Sequence, residues 1–218
     1  MITRLPLELA DTAVHRGLDW GPVSSWVAAA VTLLAVIVAL LGWQVRDFLR
    51  RPRLDITFQH AEPFCRKTGL TSGGQAYWVR VRVGNKGVEP ARACVGRLSK
   101  VYTDGDFRCD RDPVQLRWCG VPDKRGFEPI HLPKGQYEFL NVFRIVRGER
   151  HITIETFPGY APGFPTALET DVEHRAEISV VADNAEPRTA TLTLRYSGDF
   201  DALPNSLTAT LGNRMRRS

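Results

Sequence analysis

Four cysteines, Cys65, Cys94, Cys109 and Cys119, together with His60 and His131, are the residue types that build a tetrahedral zinc site. Their spacing points elsewhere. The cysteines are separated by 29, 15 and 10 residues, without a C-x-x-C knuckle, and Cys94 sits in an apolar stretch as a small hydrophobe. Asp104, Asp106, Asp110 and Asp112 have the density of a calcium loop. They lack its glycine and terminal glutamate spacing, and Arg108 and Arg111 lie among them, so an acidic solvated loop is the better reading. Residues 69–74, GLTSGG, lack the Gly-Lys-Ser/Thr ending and the following helix of a phosphate loop and read as a connection between two strands. The histidines, His15, His60, His131, His151 and His174, are scattered, and none adjoins a nucleophile motif such as G-x-S-x-G. No catalytic set, metal or cofactor is expected, and the chain reads as a non-enzyme.

Residues 157–165, FPGYAPGFP, have a different character. Two Pro-Gly-aromatic units cannot extend a strand, because proline removes a donor and glycine raises the entropy of ordering. Such a loop presents Tyr160 and Phe164 on a stiffened backbone, which suits recognition of a protein partner. The alternative is that Phe157 and Tyr160 fold back and plug one end of the domain.

The elements that position these residues begin with a long apolar run. Residues 23–43, VSSWVAAAVTLLAVIVALLGW, contain no charge over 21 residues. At 1.5 Å per residue this gives a helix of about 31 Å, the thickness of a bilayer's hydrocarbon core. Trp20 and Trp26 flank one end and Trp43 the other, where aromatic rings favour the interface. A cleaved signal peptide would have a basic leader and a shorter apolar region. Here the leader is slightly acidic and the run ends in GWQVR, so an uncleaved anchor is expected. Ser24, Ala28 and Thr32 share one helix face, as do Ala35 and Ala39, which would allow a second copy to approach closely.

The formal net charge of +5 invites a nucleic-acid reading until the charges are placed on the chain. Residues 1–22 carry −1, residues 46–53 carry +3, residues 54–213 are balanced and the end adds +3 from Arg214, Arg216 and Arg217. No nucleic-acid partner is expected from a neutral body. Arg46, Arg50, Arg51 and Arg53 directly follow the apolar run, while only Arg4 and Arg16 precede it, among three acids. The positive-inside rule then places the N-terminus outside and the larger part of the chain in the cytoplasm, with the four arginines against anionic lipid. The preference for Arg over Lys, 24 to 5, suits a bacterial-type, GC-rich origin and hence the cell (inner) membrane.

Beyond Pro52 the pattern changes to short runs rich in Val, Ile, Thr and aromatics, at residues 54–60, 77–83, 92–102, 114–118, 137–146, 151–156, 176–181 and 189–196. In residues 77–83 one face collects Tyr77, Val79, Val81 and Val83, and the other Trp78, Arg80 and Arg82. In residues 189–196 one face is Ala190, Leu192, Leu194 and Tyr196, and the other Thr189, Thr191, Thr193 and Arg195. A period of two without intervening helices predicts about eight antiparallel strands in a two-sheet sandwich.

Residues 77–87, YWVRVRVGNKG, followed by residues 90–98, PARACVGRL, resemble the strand–turn–strand of immunoglobulin-like domains of the cell-adhesion-related (CARDB) type. The resemblance implies an immunoglobulin-like sandwich; Asn85 is expected to bond its neighbouring backbone and Gly87 to adopt positive φ. The expected organisation is an extracytoplasmic segment (1–22), a transmembrane helix (23–43), a basic juxtamembrane linker (44–53), a β-sandwich (54–213) and a basic tail (214–218). The expected role is non-catalytic binding or scaffolding at the cytoplasmic face of the membrane, with an unknown protein partner. The rival arrangement is the same module facing outward, or less simply a metal-dependent sensor or enzyme.

Overall fold

A computed structural model describes residues 23–109, 113–121, 123–157 and 166–213. The chain divides into two units, residues 1–47 and 48–218. The first unit contains most of helix α1, Val23–Arg50. Nothing in residues 25–44 breaks a helix, and its large apolar side chains, from Trp26 to Trp43, are exposed. A helix that is apolar on all sides is built for an apolar surrounding. By length and composition it can cross a membrane. Thr32 donates its hydroxyl to the Ala28 carbonyl (2.8 Å), so its polar group is satisfied within the helix. The helix does not stop at Trp43 but runs on through Arg50, into the segment expected to be a linker.

The second unit is all-β. Its strands are β1 (Leu54–Thr57), β2 (Cys65–Gly69), β3 (Gln75–Asn85), β4 (Ala91–Thr103), β5 (Asp106–Cys109), β6 (Val114–Gln115) and β7 (Arg117–Trp118). After a single 3-10 turn, Asp123–Phe127, follow β8 (Ile130–Leu132), β9 (Tyr137–Val146), β10 (His151–Ile154) and β11 (Ala167–Glu169). The chain then closes with β12 (Glu173–Ala182), β13 (Ala185–Tyr196) and β14 (Leu207–Asn213). Among the described residues they form two seven-stranded antiparallel sheets. The first has the order β1-β3-β9-β10-β11, with β2 added to β3 and β7 to β9. The second has the order β14-β13-β12-β4-β5, with β6 and β8 added to β4. The expected two-sheet sandwich is therefore present. The strands beyond eight are mostly two to five residues long, too short to show an alternation.

The inner faces are those the alternation marks. Tyr77, Val79, Val81 and Val83 of β3, and Ala190, Leu192, Leu194 and Tyr196 of β13, are buried in one core with Trp118, Phe143 and Ile178. At Gly96 of β4 the other sheet approaches so closely that a Cβ would collide with the side chain of Leu140 on β9.

One buried side chain joins the start of the sandwich to its centre. Asn85, at the end of β3, is 1% exposed. Its Oδ1 accepts from Gly87 N (2.9 Å) and Arg53 N (3.1 Å), and its Nδ2 donates to Glu89 O (2.7 Å) and Leu132 O (3.0 Å). Its backbone N donates to Gln136 O, and its backbone O accepts from Gly135 N. The expected local bond to the backbone is there, joined by two long-range ones. Gly87 serves a different purpose from the one expected. It is not among the positive-φ residues; instead a Cβ there would overlap Arg51 O, Arg53 N and Pro52 Cα. The chain leaving α1 is thus laid directly on the turn, with Lys86 N donating to Arg53 O and Glu89 N to Arg50 O. Residues 50–53 are part of the folded unit rather than a free linker.

A fragment from residue 48 should accordingly be more stable than one from residue 54, which deprives Asn85 of the Arg53 N–H. Urea midpoints of the two fragments check this, and equal midpoints would contradict it. In the longer fragment, Asn85→Ala should destabilise by about 3 kcal/mol or more, because it orphans buried donors and acceptors. Gly87→Ala should cost about 2 kcal/mol through overpacking.

Candidate functional site

The face of β3 turned away from the core, with Trp78, Arg80 and Arg82, is largely packed. Trp78 and Arg80 are only 9% and 8% exposed, and Arg82 is half-buried. The cause lies in what the neighbouring strands place beside them. The register sets Trp78 opposite Arg144 of β9 and Arg66 of β2, Arg80 opposite Asn141, and Arg82 opposite Phe139. Between Val79 and Arg80 the pairing slips by one residue on β9, so Val142 and Phe143 both point to the core. A bulge of this kind re-aims the side chains that follow it. Here it places both Asn141 and Arg144 on the outer face.

The result is a face rich in guanidinium groups and aromatic rings. The Arg80 and Arg144 guanidinium carbons lie 5.8 and 5.7 Å from the Trp78 ring, within cation–π range. Trp78 Nε1 donates to Thr68 Oγ1 (2.8 Å), which holds the indole in place. Arg82 donates from Nε to Thr57 Oγ1 (3.1 Å) and lies over the rings of Phe64 and Tyr137. Glu155, just past β10, answers part of this charge. It accepts from Arg117 Nη1 (3.1 Å) and Asn141 Nδ2 (3.1 Å) and lies 3.9 Å from Arg144 Nη1. Among the described residues no hydrogen-bond partner reaches Arg80 Nε, Arg144 Nε or Asn141 Oδ1, all of them buried. A buried guanidinium without a carboxylate is costly, by several kcal/mol when fully desolvated, and the cation–π contacts with Trp78 recover only part of that.

The residues singled out in the sequence are distributed as follows. Arg46, Arg50, Arg51 and Arg53 are all exposed, with Pro52 buried between the last two. Tyr160 and Phe164 lie outside the described residues. Phe157, at the start of that loop, is half-buried and stacks edge-on against Phe127 (5.2 Å between centroids). Residues 69–74 form the tip of the β2–β3 hairpin, closed by Leu70 N donating to Gly74 O. Asp104 caps the β4–β5 turn and accepts from Glu173 N, while Asp110 and Asp112 lie outside the described residues. The cysteines are dispersed: Cys65 lies in the first sheet and Cys94 in the second, both buried, and Cys119 is half-buried. His131 accepts at Nδ1 from Ala93 N, and buried His174 bridges Thr103 and Glu169 O. No group of three His, Cys, Asp or Glu side chains able to hold a metal occurs among the described residues.

Burial makes the two core thiols poor nucleophiles. It pushes Cys65 up to about 11, partly offset by a hydrogen bond with Tyr77 and by the charge of Arg80, and Cys94 up to about 11. The Tyr77 hydroxyl is raised as well, mainly by burial and then by the neighbouring Cys65.

The sequence signal for the cationic face was the Trp-x-Arg-x-Arg alternation of β3, whose partners on β7, β9 and β10 are remote in sequence. No known family model and no curated protein sequence matches this chain.

Replacing Glu155 by Gln removes the carboxylate shared by Arg117, Arg144 and Asn141. Unfolding in urea should show a loss of about 2–3 kcal/mol. No loss would mean that the face does not depend on that ion pair. A second expectation follows from the thiols. Their ionisation is favoured on unfolding, so stability should be flat below the ordinary thiol value of 9.0 and fall as pH rises through about 11. A thiol-reactive dye at pH 8 should label Cys65 and Cys94 slowly in the native domain and quickly in denaturant.

Proposed function

We propose that this chain is a membrane-anchored, non-catalytic binding or scaffolding module that presents its β-sandwich at the cytoplasmic face of the cell (inner) membrane. The observation that carries the reading is the helical stretch Ser25–Gln44, apolar, unburied and followed at once by Arg46, Arg50, Arg51 and Arg53. An exposed charge-free helix of this length is strongly unfavourable in water and favourable in lipid. Each basic residue near an anionic membrane surface adds about 1 kcal/mol of attraction. The docking of residues 50–53 on Asn85 and Gly87 supports a role in which Arg50, Arg51 and Arg53 belong to the folded domain and hold it close to the lipid headgroups. Residues 157–165, with Tyr160 and Phe164, remain the segment of choice for a protein partner, and the Ser24/Ala28/Thr32 face for a second copy. The passage from β3 in one sheet to β4 in the other fits an immunoglobulin-like sandwich, in which consecutive strands also change sheets.

Two measurements test this reading. The full-length protein should remain in the membrane fraction after alkaline carbonate washing, and Leu34→Arg, which places a charge near mid-span at about 2.5–3.5 kcal/mol on insertion scales, should weaken that retention. For orientation, Ser72→Cys puts an exposed thiol at the tip of the β2–β3 hairpin. A membrane-impermeant maleimide should label it only after the cells are opened. Labelling in intact cells would instead place the sandwich outside, and release by carbonate would remove the membrane from the account.

A further inference from the structure

Among the described residues, the outer face of the first sheet carries more positive charge than its neighbours neutralise. Arg66, Arg80, Arg82 and Arg144 come from adjacent strands, and Arg117 adjoins them on β7. Glu155 is hydrogen-bonded to Arg117 and Asn141 and also pairs with Arg144 at 3.9 Å, so one carboxylate serves two guanidiniums. Arg80 takes part in none of the ion pairs among the described residues, and its buried Nε has no acceptor. Arg144, with its own buried Nε unpartnered, sits on the same indole. The side chains of Arg144 and Arg117 nevertheless remain 31% and 25% exposed, so the cluster is reachable from solvent.

We propose that this face is a binding site for a phosphate group, gripped by Arg144 with Arg80 beneath it, and framed by Trp78 and Asn141. A carboxylate already occupies the Arg117 side of the cluster in the form of Glu155, and charge remains over. A phosphate group brings up to two negative charges and several acceptor oxygens, enough to engage two guanidiniums that lie against the same indole. Trp78, fixed by Thr68, keeps both guanidiniums on the sheet surface before the ligand arrives, which limits the ordering needed on binding. The site lies within the sandwich and does not rest on the orientation proposed above. The phosphate can belong to a soluble molecule or to a lipid headgroup, and the two sources are separable by experiment.

The test uses the full-length protein in uncharged detergent micelles, with inorganic pyrophosphate as the soluble probe and sodium chloride at matched ionic strength as the control. At a probe concentration about 100-fold above its Kd, the apparent Tm should rise by about 5 °C or more over the control. Arg80→Met and Arg144→Gln should each abolish that rise. Arg80→Met should leave the Tm in chloride unchanged or higher, because an apolar side chain replaces an unneutralised buried charge. Should Arg80→Met fail to fold, the more exposed Arg144→Gln carries the test alone. The second arm reconstitutes the protein in nanodiscs of phosphatidylcholine with or without phosphatidylglycerol. A rise in Tm that requires the anionic lipid and is lost in both variants identifies a headgroup as the source and also supports the site. Absence of any response in both arms overturns the proposal, as does a response that survives both substitutions. Stabilisation by an oligoglutamate peptide but not by pyrophosphate or anionic lipid also overturns it, in favour of an acidic protein partner.

Discussion

The carboxamide of Asn85 ties together three stretches of chain at one buried point. Buried at the end of β3, it uses both its donors and its acceptor oxygen, on the segment leaving α1, on its own turn and on β8. A buried amide is tolerable only when its hydrogen bonds are complete, so the three segments must be in place together. Gly87 permits this by having no side chain where Arg51, Pro52 and Arg53 pass. The position of β1, the crossing from the first sheet to the second and the pairing of β8 with β4 all follow from this junction. An isolated turn of the same sequence could not supply the Arg53 and Leu132 partners. The junction is therefore a tertiary contact that resembles a local turn signal.

The two sheets treat their outer faces differently, and the difference has a physical basis. On β13 the outward positions are Thr189, Thr191, Thr193 and Arg195, short hydroxyls with one exposed charge, and the face stays partly solvated. On β3 they are Trp78, Arg80 and Arg82, whose long side chains lie down across the sheet and cover one another. Guanidinium groups stack readily on aromatic rings because they are planar and weakly hydrated. Mutual coverage of this kind contributes to their burial. The consequence is a local concentration of positive charge in a body whose total charge over residues 54–213 is zero. Overall neutrality thus hides a segregated surface, and arguments from net charge alone miss it.

The membrane and the phosphate readings share one feature, an excess of arginine where anions would be found. In the exposed residues Arg46, Arg50, Arg51 and Arg53 that excess is free to contact any anionic surface. In the cluster around Trp78 it is fixed in geometry, with donors held on defined strands. Diffuse attraction and shaped recognition are physically distinct, since screening weakens the first more than the second. The same chain carries both.

Residues 23–43 were legible from sequence because an uninterrupted apolar run needs no partner to define it, and the helix follows. The inner faces of β3 and β13 were legible for a related reason: alternation is local, and the core lies on the apolar side whatever the neighbours are. The candidate loop with Tyr160 and Phe164 was also visible as a motif, though it lies outside the described residues. The tertiary structure alone decided which polar residues are buried. The burial of Arg80 was not legible because it depends on Arg144, more than sixty positions away, and on a one-residue slip in β9 that sequence alternation does not reveal. Gly87 looked like a positive-φ residue because the segment it accommodates, Arg51–Arg53, returns to it only in the folded chain. Local periodicity determines which way a side chain faces; long-range register determines what it meets there, and hence whether a charge on that face is solvated, paired or left waiting for an anion.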